Sequence, residues 1–251
     1  MGVLRLNSDS AEFGRDTPWW GEYLAQYKQA SRYVRGMRVL DIGCGRGFGS
    51  RFLFDNGAVS VTGIDLSSSD ILKAQEVYGR DGVGFVVADV KNLPFAPKTF
   101  DMITCFQVIE RIPSIDQALQ QVARVLAPNG VALISTVNRK RFSELTEAPV
   151  EREHIQEYDY EEVKQLLKRS FSTFDIQGLF CTRLMGPDLL AGGNKTLEFL
   201  RNRFENHIPW KLRDVVAKKV FGVSYYPDET EYVLRSIGVQ EASIFYSVCR
   251  K

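Results

Sequence analysis

The chain has 251 residues, 44% of them hydrophobic and 25% charged, with 32 Lys and Arg against 31 Asp and Glu. That length holds one sizeable α/β core, and a net charge of +1 leaves no global basic footprint for nucleic acid. No apolar run reaches the ~20 residues that cross a bilayer, Met1–Thr17 carries no secretory core, and Cys44, Cys105, Cys181 and Cys249 are scattered without a Cys-x-x-Cys pair, so a cytoplasmic protein with no metal centre and no membrane or nucleic-acid partner is expected.

In chain order, residues 1–36 read as a loose arm followed by a helix. Thr17-Pro18 is a helix start, and Trp20, Tyr23, Leu24, Tyr27 and Ala30 recur at helical spacing. The stripe fits a core-facing surface. The helix precedes the first strand and must cross near the sheet's ligand-binding edge, so Trp20 and Tyr23 are also candidates for a lid over an acceptor. Residues 37–181 read as the core. An apolar run from Met37 ends at Asp41-Ile-Gly-Cys-Gly-Arg-Gly47, with Gly49 two residues further on. Glycines on alternate positions suit neither strand nor helix interior; they make a turn where backbone comes close to something. The helix predicted at Phe48–Asp55 points its first amides at the same place. Strand, glycine turn and helix in that order form the nucleotide-binding corner of an α/β sheet.

The spacing narrows the ligand. A dinucleotide fingerprint is Gly-x-Gly-x-x-Gly, but Phe48 stands where its third glycine belongs. The acid at Asp41 repels a pyrophosphate and suits a ligand with a cationic end. Asp65 closes a second β-branched run, Val59–Asp65, and Asp89 closes a third, Val83–Asp89. An acid at the tip of the second strand can accept both ribose hydroxyls; Asp65 with Ser67 also reads as the N-cap of a helix at 69–78. A fourth strand, Phe100–Phe106, leads to Gln107-Val-Ile-Glu-Arg-Ile112, and a fifth spans Val131–Val137.

Asp41-Ile-Gly-Cys-Gly-Arg-Gly47, with acids at three successive strand ends, resembles motif I and its partners in the class I S-adenosylmethionine-dependent methyltransferases, in the type 11 superfamily that includes quinone-type O-methyltransferases. The resemblance implies a Rossmann-like α/β fold: a seven-stranded, mostly parallel sheet with an antiparallel last strand and helices on both faces. It implies S-adenosyl-L-methionine as cofactor and S-adenosyl-L-homocysteine as product. Asp41 with Gly43, Cys44, Gly45 and Gly47 would hold the methionine end, Asp65 with Leu66 the ribose, and Asp89 with Val90 the adenine; Phe106 and Gln107 complete the set. The last two strands are a hairpin in the family. Here residues 182–240 separate them, too long for a bare loop, and they read as a helical insertion capping the acceptor before the final strand at 241–251. The whole is one domain, 1–251. In the insertion Lys195, Arg201, Arg203, Lys211, Arg213, Lys218 and Lys219 outnumber Glu198, Glu205 and Asp214. Such a face could hold an anionic acceptor or be a solvated helix surface.

A base is needed only where the acceptor is a hydroxyl or a protonated amine. His154 precedes a helix at 159–169, within a His-x-x-Glu-aromatic element, His154, Glu157 and Tyr158, that resembles one in a surface-glycan-linked subgroup of the family. His154 is therefore a candidate base, or a residue that ties down its loop, and Tyr158 a candidate acceptor contact. That subgroup reads Phe-Glu-x-x-Glu-His after strand four; this chain has Phe106-Gln-Val-Ile-Glu-Arg111. Arg111 cannot act as a base but can hold a carboxylate or phosphate, and Glu110 is a second base candidate. The function expected is methyl transfer to an oxygen or nitrogen of a small molecule or glycan precursor. A non-catalytic cofactor-binding module stands as the alternative, ahead of a nicotinamide oxidoreductase and an RNA methyltransferase.

Overall fold

The computed structural model describes residues 19–142, 154–182 and 228–251, with isolated positions between 212 and 226. Its elements are α1 (Trp20–Ala30), β1 (Arg38–Ile42), α2 (Phe48–Asp55), β2 (Ser60–Asp65), α3 (Ser68–Tyr78), β3 (Val83–Val87), β4 (Phe100–Phe106), α4 (Ile115–Val125), β5 (Leu126–Val137), α5 (Arg139–Phe142), α6 (Tyr160–Lys168), β6 (Thr173–Cys181), β7 (Tyr232–Arg235) and β8 (Ile244–Arg250). The sheet order is β3-β2-β1-β4-β5-β8-β6-β7. The first five strands are parallel; β8 runs antiparallel to β5 and to β6, and β6 antiparallel to β7.

Local chemistry explains the elements. β1 is buried from Val39 to Ile42, and three of those four residues are apolar, as a strand covered on both faces requires; Asp41 is the exception. Its period of two sends Val39 into one core, and Leu40 and Ile42 into the other. α4 buries Ala118, Leu119, Val122 and Val125 at helical spacing. The Ser67 side chain caps α3 by accepting from Asp70 N, and Asp159 with Glu162 forms a reciprocal capping box on α6. α1 and α2 lie in one core with Leu24, Phe52 and Leu53, and α4 and α6 in the other with Leu119 and Leu166.

The sequence predicts seven strands and the sheet has eight. Tyr232–Arg235 pairs antiparallel with Gly178–Cys181, inside the interval expected to be a helical insertion. A run of four residues is too short for alternation to announce itself; the open edge of β6 supplies the missing constraint. Within that interval Leu212, Val215, Lys218 and Lys219 are helical, and both lysines are exposed. The remaining positions of 183–227 except Tyr226, His207 among them, lie outside the described residues, as does the arm at 1–18. β1 sits between β2 and β4, and the chain leaves it in both directions along the sheet. The carboxyl ends of β1 and β4 therefore open a crevice at the point where strand order reverses.

Candidate active site

The turn after β1 is stitched to β2: the amides of Gly43 and Cys44 both donate to the Ile64 carbonyl, at 2.8 and 3.0 Å. Gly45 is left-handed, with φ +51°, and its amide donates to Asp65 Oδ2 at 3.0 Å. A Cβ built on Gly45 meets nothing within 4 Å, so the turn presents bare backbone to open space. Gly49 is required for a different reason: a Cβ there would come within 1.9 Å of the Tyr27 ring. α1 and α2 can lie against each other only across that glycine.

Beneath the turn lies Asp41, fully buried. Its carboxylate accepts from Thr104 Oγ1 at 2.7 Å, Ser50 Oγ at 2.7 Å and Tyr27 Oη at 3.1 and 3.2 Å. Burial raises its carboxyl to about 6 against the pull of those three donors, with the Asp65 charge adding to the rise. The sequence predicts that Asp41 faces the ligand's cationic end. In the structure the side chain points under the turn, where three hydroxyls hold it, and it is not among the residues that line the crevice.

The crevice itself has a volume of about 1100 Å³. Gly43, Cys44 and Gly45 form its floor, Asp65 and Leu66 one wall, and Asp89 and Val90 the far end. Asp65 Oδ1 accepts from Ser67 N at 2.9 Å, so this residue is both a helix anchor and a cleft residue. Asp89 Oδ1 accepts from Lys91 N at 2.9 Å, and its other oxygen lies 3.4 Å from Lys91 Nζ. Phe106, Gln107 and Arg111 line the opposite end, with Trp20, Tyr23 and Tyr27 of α1. Gly47 does not line the crevice; it is filled by Phe85 and Ala74, which a Cβ would meet at 2.6 and 2.8 Å. The Cys44 thiol is pushed far up by burial and by Asp41, and so is no nucleophile at neutral pH.

Gln107 is the one non-glycine residue of the crevice with a left-handed backbone, at φ +54°. Such strain persists only where the surroundings hold it. Here the Gln107 amide donates to the Ser135 carbonyl at 3.1 Å, and Nε2 donates to Glu22 Oε1 at 2.8 Å. Glu22, on the first turn of α1, is missed by sequence reasoning because an acid there is an ordinary favourable helix-terminus residue. In the fold it is buried, and desolvation raises its carboxyl to about 7, with Gln107 opposing and Glu110 adding.

The two candidate bases do not line the crevice. Glu110 is wholly buried; its Oε2 accepts from Thr136 Oγ1 at 2.9 Å and its carbonyl holds the amides of Ile155 and Gln156. Desolvation raises its carboxyl, opposed by its own backbone amide, the Thr136 hydroxyl, and the nearby His154 and Arg111. His154 Nδ1 lies 2.7 Å from Glu157 Oε1, both residues buried. Tyr158 lines a separate groove between the starts of α4 and α6. This element therefore pins the 154–158 loop to the turn after β4. Among the described residues no cluster of His, Cys, Asp and Glu could hold a metal, and no helix is long and apolar enough to cross a membrane.

Comparison with known proteins gives a concordant answer. A methyltransferase-domain family model matches residues 40–134, from β1 into β5. A probable S-adenosylmethionine-dependent methyltransferase of Mycolicibacterium smegmatis is 29% identical over 203 residues, covering 79% of this chain and 78% of that protein. A ubiquinone biosynthesis O-methyltransferase of Coxiella burnetii is 32% identical over 116 residues, 45% of this chain and 49% of its own, so the chain spans about half the length of that relative. A Thermotoga maritima structure described as an S-adenosylmethionine-dependent methyltransferase, possible histamine N-methyltransferase, shares the fold with a TM-score of 0.62 at 16% identity, covering 96% of this chain and 97% of its own.

Proposed function

Since the chain belongs to the class I S-adenosylmethionine-dependent methyltransferases, we propose that it transfers a methyl group to an oxygen or nitrogen atom of a small molecule or glycan precursor, in the cytoplasm. The observation that carries this reading is the reach of the crevice. Besides the glycine turn and the two acids, it is lined by Phe106, Gln107, Arg111, Ile112 and Pro113 and by Trp20 and Tyr23 of α1. Trp20, Tyr23, Phe106, Ile112 and Pro113 offer ring and aliphatic surface beside the Arg111 guanidinium, which suits an acceptor with an apolar body and a carboxylate or phosphate.

The residues present fit the cofactor. Gly45 leaves open space where a side chain would project. Asp65 would accept the ribose hydroxyls, with Leu66 against the sugar, and Asp89 with Val90 would meet the adenine. When bound, S-adenosyl-L-methionine supplies an electrophilic methyl on a sulfonium, whose leaving group departs neutral. The chain's part is to hold the acceptor in line and exclude water. Trp20, Tyr23 and Phe106 wall that end of the crevice, and Arg111 orients the acceptor. His154 and Glu110 contribute by fixing the 154–158 loop against the turn after β4, and no side-chain base is required where the acceptor is a neutral amine or an ionised oxygen.

A second reading, a cofactor-binding module without turnover, is favoured by one observation: neither candidate base lines the crevice. The two separate in a single experiment. Calorimetric titration with S-adenosyl-L-homocysteine should show binding and titration with NADH none. Labelled methyl transfer is then measured against phenols, carboxylic acids, amines and sugar nucleotides. Label in any acceptor supports the enzyme, binding with no label in the panel supports the module, and failure to bind the homocysteine product removes both.

A further inference from the structure

If Asp41 is sealed, the cationic end of the cofactor needs another negative centre, and one stands directly behind the crevice wall. The strand order places Asp89, Asp65, the glycine turn and Gln107 in sequence along the carboxyl edge, from β3 through β2 and β1 to β4. With adenine at Asp89 and ribose at Asp65, which is the cofactor reading this inference rests on, the amino-acid end falls at Gln107.

The Gln107 carboxamide is oriented from behind. Its Nε2 donates to Glu22 Oε1 at 2.8 Å, which leaves Oε1 of Gln107 without a protein partner among the described residues. Glu22 is buried, and no ion pair joins it to a cation among the described residues. Its own surroundings do not neutralise it. From α1, Gln26 donates to the Glu22 backbone carbonyl rather than to the carboxylate, and Tyr27 is turned to Asp41. From the turn after β4, Glu110 repels it, and the charges of Arg111 and His154 act on Glu110. A carboxylate so placed polarises the carboxamide it holds, making the amide oxygen a stronger acceptor.

We infer that Glu22 is a positioning residue for the cofactor: it turns the Gln107 carboxamide so that Oε1 faces the crevice and receives the ammonium group of the methionine portion. When Glu22 takes up a proton its hydroxyl can donate to Gln107 Oε1 as readily as its carbonyl oxygen can accept from Nε2, so the carboxamide is free to turn over, and an NH₂ facing the crevice repels the ammonium. Because burial lifts Glu22 to about 7, the device operates in the neutral range. Affinity for the ammonium is full above that value and falls as pH drops through it.

The test compares S-adenosyl-L-homocysteine with 5′-methylthioadenosine, which shares the nucleoside but lacks the amino-acid end. Calorimetric affinities are measured at pH 6 and pH 8. For the parent chain the homocysteine compound should bind about tenfold more weakly at pH 6, since a group titrating near 7 is then mostly protonated, while methylthioadenosine binds alike at both. In Glu22→Gln the homocysteine compound should bind weakly and equally at both pH values. Retained methylthioadenosine binding shows that the variant's crevice is intact; Glu22→Asp serves in its place if that binding is lost, and should restore part of the pH dependence. A parent affinity for the homocysteine compound that is the same at both pH values overturns the inference, as does a pH dependence that survives in Glu22→Gln. If neither compound binds at any pH, it is the cofactor reading that fails.

Discussion

Asp41 and Glu22 are both buried carboxyls within reach of the crevice, and they are furnished in opposite ways. Asp41 has three hydroxyl donors from α1, α2 and β4, each within 3.2 Å, and presents nothing to solvent. Glu22 has one carboxamide donor, itself a wall of the crevice. A fully satisfied buried acid clamps elements together; an under-satisfied one keeps capacity for something that arrives later. The floor of the site is thus built for rigidity, while the end beyond β4 is built for response.

The sharpest way to break this comparison is Asp41→Ala. Three buried hydroxyls would lose their acceptor at once, and unfolding by urea should show a loss on the order of 3–5 kcal/mol. A loss under about 1 kcal/mol would mean the clamp is not one. Next comes pH. A carboxyl raised to about 6 by burial favours the fold most when protonated. Its contribution is complete below the ordinary carboxyl range and is lost as pH rises through 6. Relative to Asp41→Asn, the parent should therefore lose up to about 3 kcal/mol between pH 4 and pH 7; the opposite slope would contradict the burial described above. Asp65→Ala probes the open side of the floor. Homocysteine-product binding should weaken by roughly 1.5–3 kcal/mol, read by calorimetry, with Gly45 N and Ser67 N each left without this acceptor. Unchanged binding would remove Asp65 from the ribose. The smallest effect is expected at Lys28, which pairs with Glu229 at 2.8 Å near the surface: Lys28→Ala should cost no more than about 1 kcal/mol. A larger loss would mean that α1 depends on the turn before β7 as well as on Asp41.

The parallel half of the sheet was legible because each of its features lies in one short segment. The run to Asp41, the glycines after it, and the acids at Asp65 and Asp89 need no long-range knowledge, and the predicted α2 matches Phe48–Asp55 residue for residue. The direction of the Asp41 side chain was not legible, since it depends on Tyr27 and Thr104, 14 and 63 positions away. Glu22 was hidden for the same reason: its partner Gln107 is 85 residues distant. Only the strand register and the seating of α1 bring them together. The positive φ of Gln107 had no signal at all, because glutamine is not a residue that marks left-handed backbone. The strand at Tyr232–Arg235 escaped because four residues carry too little pattern.

The position of β8 bears on how the molecule is made. Its residues, Ile244–Arg250, lie between β5 and β6, joining Val131–Val137 on one side to Thr173–Leu179 on the other. While the chain is emerging from the ribosome, the parallel strands can assemble early, but β5 and β6 have no bond to each other until this segment emerges. Until then two apolar strand edges stand open, and the nascent protein is at its most prone to aggregate.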